Sequence, residues 1–218
     1  MQQLSDIELL VFDLDGTLVN SQYDLGDAVN FALFNMARPQ LAYEEIPPML
    51  GGGVKKLLSN AFGTSRQEEI DQALVFFNEF YAMNHAVKTD YYPMVRETLS
   101  KLKNKTMAVL SNKPHNFTKA IMDKLDVEGY FDIVLGAQPQ LYGLKPNPEG
   151  LTKILQKLNI AASKTLMIGD STHDIMTAKA IGAKTCAVTY GYRSAEVLLQ
   201  EEPDIMIDSI TVLPEVVI

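Results

Sequence analysis

Six short segments of the chain are almost continuously apolar, and stretches with helical spacing of apolar residues separate most of them. The apolar segments cover residues 7–12, 106–110, 131–135, 165–168, 185–188 and 204–207. In a typical intervening stretch, Leu151, Ile154, Leu155 and Leu158 lie at positions i, i+3, i+4 and i+7 of a helix. Strands that are covered on both faces have continuous apolar sequences, and their alternation with helices is typical of βαβ units. The pattern therefore predicts an α/β fold with a mostly parallel sheet.

Residues 19–88 interrupt this alternation, because they contain helical patterns and no convincing strand. One apolar stripe with helical spacing covers residues 25–36, and a second covers residues 70–81. We therefore expect an all-helical domain, residues 19–88, inserted into a core formed by residues 1–18 and 89–218.

The composition excludes some classes of partner. The 218 residues include 19 Lys plus Arg and 27 Asp plus Glu, so the formal net charge is −8. Charge-driven binding to nucleic acids or to anionic membranes requires an excess of Lys and Arg, so we expect neither partner. The one cysteine, Cys186, cannot form an intrachain disulfide, and we find no signal peptide and no apolar segment of the ~18 residues that span a bilayer. We expect a cytoplasmic protein.

Two aspartates follow the first apolar segment directly. Asp13 and Asp15 are separated by one residue, so on an extended chain their side chains face the same side. In open α/β sheets, ligands bind at the carboxyl ends of the strands, where this pair would lie. A divalent cation, or a proton on one carboxyl group, would make the proximity of two negative charges tolerable. A solvated turn with a helix cap explains the pair equally well.

A second acidic pair, Asp170 and Asp174, follows the apolar segment 165–168. Asp170 lies at the expected strand end, and Asp174 lies within the first turn of the expected helix, so both carboxylates could face the same crevice. An aspartate in the first turn is also favoured by the helix dipole, so capping is an equal alternative.

Two further expected strand ends offer groups that bind anions. Ser111 and Asn112 follow the apolar segment 106–110, and we expect them at the start of a helix, where free N–H groups bind anions. Lys145 lies in a Pro-rich loop after the segment 131–135. Each residue alone has an ordinary explanation, as a cap or as a surface lysine. Together, however, the strand ends bring carboxylates, a hydroxyl and an ammonium to one edge of the sheet.

The charges of these groups indicate their chemistry. The four aspartates and Lys145 have a summed charge of about −3, which would repel an anion, and one Mg²⁺ would reduce it to about −1. Ligands that are all oxygen atoms favour Mg²⁺ over zinc. A phosphate could then bind the metal, Lys145 and Ser111, so the site is suited to metal-assisted phosphoryl transfer with a carboxylate nucleophile.

These motifs resemble the four ordered motifs of the haloacid dehalogenase-like hydrolase superfamily. The motifs begin at Asp13 (DLDGTL), Ser111 (SN), Lys145 (KP) and Gly169 (GDSxxD), and the resemblance covers almost the whole chain. It implies a Rossmann-like, doubly wound core, over which the helical insertion closes as a mobile cap domain.

The resemblance also implies the role of each residue. Asp13 would be the nucleophile that forms an aspartyl-phosphate, and Asp15 would protonate the leaving oxygen and then activate water. Ser111, Asn112 and Lys145 would hold the phosphoryl group. Asp13, the backbone carbonyl of Asp15, Asp170 and Asp174 would hold Mg²⁺, with Asp174 as a direct or an outer ligand.

Within the superfamily, the chain is similar to phosphoglycolate phosphatases, for example in the segments DGTLVNS from Asp15 and TYGY from Thr189. It departs from their pattern at Asn20, where Asp is common, and at Met94, where a glycine usually follows the proline. We expect a small phosphorylated metabolite as the substrate, with 2-phosphoglycolate preferred, and a monomer or homodimer.

The alternatives within the superfamily are a pyrophosphatase, a nucleotidase or a phosphomutase. A phospho-accepting signalling protein is an alternative from a different class, since it also uses Asp, Ser or Thr, Lys and Mg²⁺ on such a sheet. The glycine run 51–53 with its neighbouring lysines is either a loop that meets a substrate carboxylate or a plain turn between helices.

Overall fold

The protein folds around a six-stranded sheet in the computed structural model, which describes residues 3–217 apart from the side chain of Glu128. The strands in chain order are β1 (Leu9–Phe12), β2 (Val19–Asn20), β3 (Asp90–Tyr91), β4 (Thr106–Pro114), β5 (Ile133–Ala137), β6 (Thr165–Gly169), β7 (Lys184–Val188) and β8 (Ile205–Ile207). The large sheet has the order β5-β4-β1-β6-β7-β8, and each neighbouring pair in it is parallel. β1 lies inside the sheet and is fully buried.

Helices cover both faces of this sheet. The helices in chain order are α1 (Gln22–Asn35), α2 (Val54–Phe62), α3 (Gln67–Asn84), α4 (Val95–Lys101), α5 (His115–Lys124), α6 (Glu149–Leu158), α7 (Thr172–Lys179), α8 (Ala195–Leu199) and α9 (Leu213–Val216). Leu10 and Phe12 of β1 pack in a core with α4, α5 and α9, whereas Leu9 and Val11 pack in a second core with α6 and α7. The period of two residues along β1 thus separates the two layers. The expected doubly wound α/β fold is confirmed.

The helical insertion forms a separate apolar core above the sheet. Residues of α1, α2 and α3 pack together in it, and Phe117, from α5, and Tyr192, from the other domain, pack against them. The ring centroids of Phe117 and Tyr81, on α3, lie 4.9 Å apart. Within residues 3–217, no helix combines the length and the apolar character that a bilayer span requires.

A two-stranded antiparallel ribbon joins the insertion to the core. Val19 pairs with Tyr91, and Asn20 pairs with Asp90. The expectation that residues 19–88 contain no strand was therefore wrong at its first two residues. A strand of two residues leaves no periodicity to detect, and it forms only because the chain returns beside it at β3. We propose residues 1–18 and 89–218 as the core and 19–88 as the cap, with the ribbon at their boundary.

Asp24 also connects two segments at the boundary between the cap and the core. Its carboxylate is buried, and it accepts hydrogen bonds from the N–H of Lys88, at 2.9 and 3.0 Å, and from the N–H and hydroxyl of Thr89, at 2.8 and 2.7 Å. Hydrogen bonds to a charged acceptor are stronger than those between neutral groups. Asp24 therefore ties the first cap helix to the segment through which the chain leaves the cap.

Met94 has a φ of 64°, in the left-handed region that favours glycine. It lies at the start of α4, and its side chain is 48% exposed. A glycine, which the family resemblance predicts at this position, would adopt this conformation without strain. The chain accepts backbone strain here without gaining a buried side chain.

We predict that Asp24→Ala lowers the free energy of unfolding by about 3 kcal/mol, because two backbone N–H groups and a hydroxyl lose their charged acceptor. Denaturant unfolding followed by circular dichroism measures the change. Asp71→Ala is the matched control, since Asp71 forms an exposed ion pair with Lys55, and it should leave the stability nearly unchanged. Equal stabilities of the two variants would contradict the role of Asp24.

We further predict that Met94→Gly raises the free energy of unfolding, by up to about 1 kcal/mol, because it relieves the left-handed backbone. The same substitution at Met83, an exposed residue inside α3, should lower it by about 1 kcal/mol, since glycine weakens a helix interior. Opposite signs in parallel unfolding experiments are the expected result. A loss of stability at both positions would show that Met94 is not strained.

Candidate functional site

The carboxyl ends of three neighbouring strands bring the sequence-predicted residues together. Asp13 follows β1, Ser111 lies in β4 and Asp170 follows β6, and these strands are adjacent in the sheet. Lys145 comes from the loop after β5, and Asp174 lies in the first turn of α7. All five residues are at least 95% buried.

Lys145 connects two of the carboxylates. Its Nζ lies 2.9 Å from Oδ1 of Asp13 and 2.6 Å from Oδ1 of Asp174. Burial alone would lower the pKa of Lys145, but these two carboxylates outweigh burial and hold the pKa above its ordinary value. The lysine is therefore a fixed positive charge at the floor of the site.

Asp13, Asp170 and Asp174 form a cluster that is suited to a divalent cation. One oxygen from each carboxylate lies within 4.8 Å of the other two. Burial raises the pKa of Asp13 to about 7, although Lys145 opposes this effect, and repulsion from Asp174 adds to it. Burial and then the charges of Asp13 and Asp174 raise the pKa of Asp170 well above its usual range. A cation would compensate these charges, and ligands that are all oxygen atoms fit Mg²⁺.

Close backbone approaches fix Asp170. The N–H of Tyr192 donates a hydrogen bond of 2.7 Å to Oδ2 of Asp170. A Cβ atom at Gly16, whose φ is 89°, or at Gly191 would collide with the Asp170 side chain. Only glycine allows these two loops to approach the carboxylate so closely. The loops therefore exclude other positions of Asp170.

The two carboxylate oxygens of Asp174 have the two environments that its sequence position suggested. Its Oδ2 accepts hydrogen bonds from the N–H and the hydroxyl of Ser171, at 3.1 and 2.6 Å, at the start of α7. Its Oδ1 contacts Lys145. One carboxylate oxygen thus caps the helix while the other belongs to the site, so capping and a role in the site do not exclude each other.

The carboxylate of Asp15 lies outside the three-aspartate cluster. It accepts a hydrogen bond of 2.5 Å from the hydroxyl of Ser21, and the Nζ of Lys113 lies 3.0 and 3.1 Å from its two oxygens. Burial alone would lower the pKa of Lys113, but Asp15 outweighs burial and raises it. Asp15 is thus held by an ion pair of its own, away from Lys145.

Lys113 is a residue of the site that the sequence interpretation missed. The expected helix start at Ser111 was wrong, because β4 continues to Pro114 and α5 begins only at His115. On an extended strand, residues i and i+2 face the same side, so Ser111 brings Lys113 into the site with it. The signal was therefore in the spacing, but it depended on where the strand ends.

Asn112 uses its side chain to hold backbone segments. Its Nδ2 donates to the carbonyl oxygens of Gly51 and Lys145, both at 2.9 Å, and its Oδ1 accepts from the N–H of Lys145 at 2.8 Å. Three segments are thereby joined: β4, the Lys145 loop and the cap loop at Gly51. The carboxamide has no remaining donor for a phosphate.

A small cavity lies between this floor and the cap. The centres of water-sized atoms can occupy about 50 Å³ of this cavity. Asp13, Asp15, Ser111 and Lys113 line the core side, and apolar side chains such as Leu57 and Phe77 line the cap side. The cap therefore covers the carboxylates and separates them from bulk water.

The family model described as haloacid dehalogenase-like hydrolase matches residues 10–188 of the chain. The chain belongs to this family. The matched region contains all the carboxylates described above as well as Ser111, Lys113 and Lys145. The resemblance that the four motifs indicated is confirmed.

The curated relatives include several phosphoglycolate phosphatases. The phosphoglycolate phosphatase of Vibrio parahaemolyticus is 36% identical over 223 residues, which cover 97% of this chain and 96% of that protein. Phosphoglycolate phosphatase 1 of Pseudomonas aeruginosa is 36% identical over 210 residues, 93% of this chain and 76% of that protein. The expectation of an enzyme similar to phosphoglycolate phosphatases, which are phosphoric monoester hydrolases, is confirmed.

Solved structures share the fold. The crystal structure of a predicted phosphoglycolate phosphatase from Haemophilus somnus 129PT is 30% identical, with a TM-score of 0.90, and the match covers 96% of this chain and 97% of that one. A predicted phosphatase from Clostridium acetobutylicum is 22% identical, with a TM-score of 0.88 and coverage of 96% and 97%. The second similarity concerns the fold alone.

We predict that Mg²⁺ stabilises the folded protein, because it compensates buried carboxylates that the unfolded chain exposes to water. At a concentration about ten times its dissociation constant, Mg²⁺ should raise the melting temperature by about 3 °C. Asp170→Asn should lose most of this shift, whereas the exposed Asp71→Asn should keep it. An equal shift in both variants, measured by calorimetry, would place the cation elsewhere.

Proposed function

We propose that the protein is a Mg²⁺-dependent phosphatase that hydrolyses small phosphomonoesters through an aspartyl-phosphate, with 2-phosphoglycolate as the preferred substrate. The observation that carries the proposal is that two neighbouring carboxylates, of Asp13 and Asp15, have different surroundings. Asp13 lies in the cation cluster beside Lys145, whereas Asp15 lies outside it beside Lys113 and Ser21. A nucleophile and a proton carrier need such different environments.

Asp13 would act as the nucleophile. The N–H of Leu14, at 2.7 Å, and the Nζ of Lys145, at 2.9 Å, both contact Oδ1. These contacts orient the carboxylate and leave Oδ2 to form the bond to phosphorus. The phosphorus–oxygen bond of the ester then breaks, and its electron pair stays on the leaving oxygen of the alcohol.

Asp15 would carry the proton in both halves of the reaction. As a carboxylic acid it gives its proton to the leaving oxygen, and the resulting carboxylate then takes a proton from the water that attacks the aspartyl-phosphate. Phosphate leaves, and Asp13 returns to its starting state. The hydroxyl of Ser21 and the ammonium of Lys113 fix the Asp15 carboxylate for both transfers.

The phosphoryl group would be held between Lys145 and Ser111. The Ser111 hydroxyl oxygen accepts a hydrogen bond of 3.2 Å from the N–H of Lys113, so its own proton is available for a phosphate oxygen. Asp13, Asp170, Asp174 and the backbone carbonyl of Asp15 are the groups that would hold Mg²⁺. The bound ion would supply positive charge for the phosphate oxygens.

The charge of the site supports the need for a cation. Four carboxylates, of Asp13, Asp15, Asp170 and Asp174, face two ammonium groups, of Lys113 and Lys145, which leaves a formal charge of about −2. A divalent ion brings this charge to about zero, and a phosphate dianion is then no longer repelled.

The relatives and the cavity support a short substrate. The relatives named above carry the name phosphoglycolate phosphatase, and the small cavity that the cap and the core enclose favours an alcohol of two or three carbons over a nucleoside. This size argues against a nucleotidase. The position of Asp15, next to the expected phosphoryl group, favours turnover over a stable phospho-acceptor.

A small phosphorylated metabolite would be the partner, with no nucleic acid and no membrane, and the enzyme would act as a monomer or homodimer in the cytoplasm. The net charge of −8 supports the lack of a polyanionic partner.

We predict that the protein releases phosphate from 2-phosphoglycolate in the presence of Mg²⁺, and that EDTA abolishes this release until excess Mg²⁺ restores it. A panel of phosphomonoesters, pyrophosphate and nucleotides, ranked by kcat/KM, measures the preference. Failure to release phosphate from any member would overturn the proposed function, and a clear preference for nucleotides or pyrophosphate would replace the substrate.

We predict that Asp13→Asn lowers kcat by at least about a thousandfold, because an amide oxygen is a poor nucleophile. The variant should keep its fold, which circular dichroism checks. Asp71→Asn serves as the matched control and should retain full turnover. Near-normal turnover by Asp13→Asn would show that another group attacks phosphorus.

A further inference from the structure

The cap side of the cavity contains a polar group that the proposed reaction does not use. The cavity is lined by Tyr81 of α3, and the other cap residues around it include the apolar Leu25, Leu50 and Leu57. Tyr81 is 1% exposed, and the ammonium of Lys113 lies beside its hydroxyl but can only donate. The phenol proton has no acceptor of normal geometry within the described residues. Buried donors usually have an acceptor, so this proton indicates a missing ligand at the cavity wall.

Aromatic packing fixes the position of Tyr81. Its ring stacks on Phe77 with centroids 5.2 Å apart, and the ring of Phe117 meets it edge-on at 4.9 Å. Phe117 belongs to the core domain, so the phenol is held at the junction between cap and core. The hydroxyl therefore cannot turn towards solvent to find a partner.

A buried cation lies beside the same ring. The Nζ of Lys113 is 5.0 Å from the centroid of Tyr81, and the lysine side chain is 3% exposed. Lys113 pairs with Asp15, but an ammonium has three donors and is not restricted to one acceptor. Two donors, one of them charged, thus lie next to each other where the cap side and the core side of the cavity meet.

The two ends of the cavity differ in what they can bind. At one end, Asp13, Ser111 and Lys145 would hold the phosphoryl group. The alcohol part of the substrate must then extend past Asp15 towards Lys113 and Tyr81, between apolar walls. A purely apolar alcohol would leave the phenol proton without an acceptor, whereas a short alcohol that ends in a carboxylate would accept hydrogen bonds from both groups.

We propose that the Tyr81 hydroxyl and the Lys113 ammonium together bind the carboxylate of the leaving group, and so select phosphomonoesters whose alcohol carries a carboxylate next to the ester carbon. This inference rests on the proposed phosphatase function. It adds a specificity-determining pair, one residue from the cap and one from the core, which meet only when the cap covers the core. Substrate choice and closure are thereby linked.

The test compares 2-phosphoglycolate with ethyl phosphate, which has the same two-carbon skeleton but no carboxylate. In the wild-type protein with Mg²⁺, kcat/KM for 2-phosphoglycolate should be at least about a hundredfold higher. In Tyr81→Phe, the ratio of the two kcat/KM values should fall by about tenfold or more. A purely structural effect of the substitution would lower both values together and leave the ratio unchanged.

Tyr43→Phe is the matched control for this substitution. Tyr43 also lies in the cap, but its hydroxyl bonds to Asp27 and Lys88, and it does not line the cavity. Its substrate ratio should equal that of the wild-type protein. Thermal unfolding of both variants checks that the aromatic ring maintains the packing without its hydroxyl.

The outcomes separate the two proposals. An unchanged ratio in Tyr81→Phe, or a wild-type protein that hydrolyses ethyl phosphate as well as 2-phosphoglycolate, would overturn the carboxylate site while the phosphatase function stands. A wild-type protein that hydrolyses neither ester nor any other phosphomonoester would overturn the phosphatase function, and the carboxylate site with it. A selective loss of 2-phosphoglycolate turnover in Tyr81→Phe supports both.

Discussion

The ammonium group of Lys145, held between the carboxylates of Asp13 and Asp174, is the interaction on which the site depends. Burying like charges together is costly unless opposite charge is close. One ammonium cannot compensate three clustered carboxylates, and burial together with their mutual repulsion raises the pKa values of Asp13 and Asp170. The fold thus maintains an unbalanced negative charge that a divalent cation would remove. Stability without the cation and affinity for it are therefore opposed, and the surrounding glycine loops keep the carboxylates from moving apart.

Burial of the site depends on the cap as much as on the sheet. Phe117 packs among the cap residues, and Asn112 bonds the cap loop at Gly51. Arg193 also contacts the cap, because its guanidinium donates to the carbonyl oxygens of Pro47 and Leu50 at 3.1 and 2.6 Å. The hydrogen bonds of Asn112 and Arg193 to the cap end on backbone carbonyls. Such bonds can break and re-form with water when a cap opens, at little net cost for each bond.

The sequence predicted the residues whose positions follow from local rules. Asp13 and Asp170 end apolar strands, and parallel strands place their carboxyl ends at one edge, so the sheet alone brings them together. Lys113 was missed because its place depends on β4 continuing past Leu110, which the pairing of Pro114 with Ala137 in β5 maintains. That pairing is a long-range contact and has no local signal. The ribbon strand β2 was missed for the same reason, since two residues form a strand only when β3 lies beside them.

Tyr81 illustrates a different limit of prediction from sequence. Its spacing in α3 marks it as a core residue of the cap, and its ring does pack in that core. The hydroxyl, however, reaches past the apolar core to the cavity, and no helical periodicity distinguishes a buried phenol from a buried phenylalanine. The distinction becomes visible only when the ring is found beside Lys113 of the core domain. A residue whose sequence pattern indicates only a packing role in its own domain can therefore determine substrate specificity. This applies wherever two separately predictable domains enclose a cavity between them.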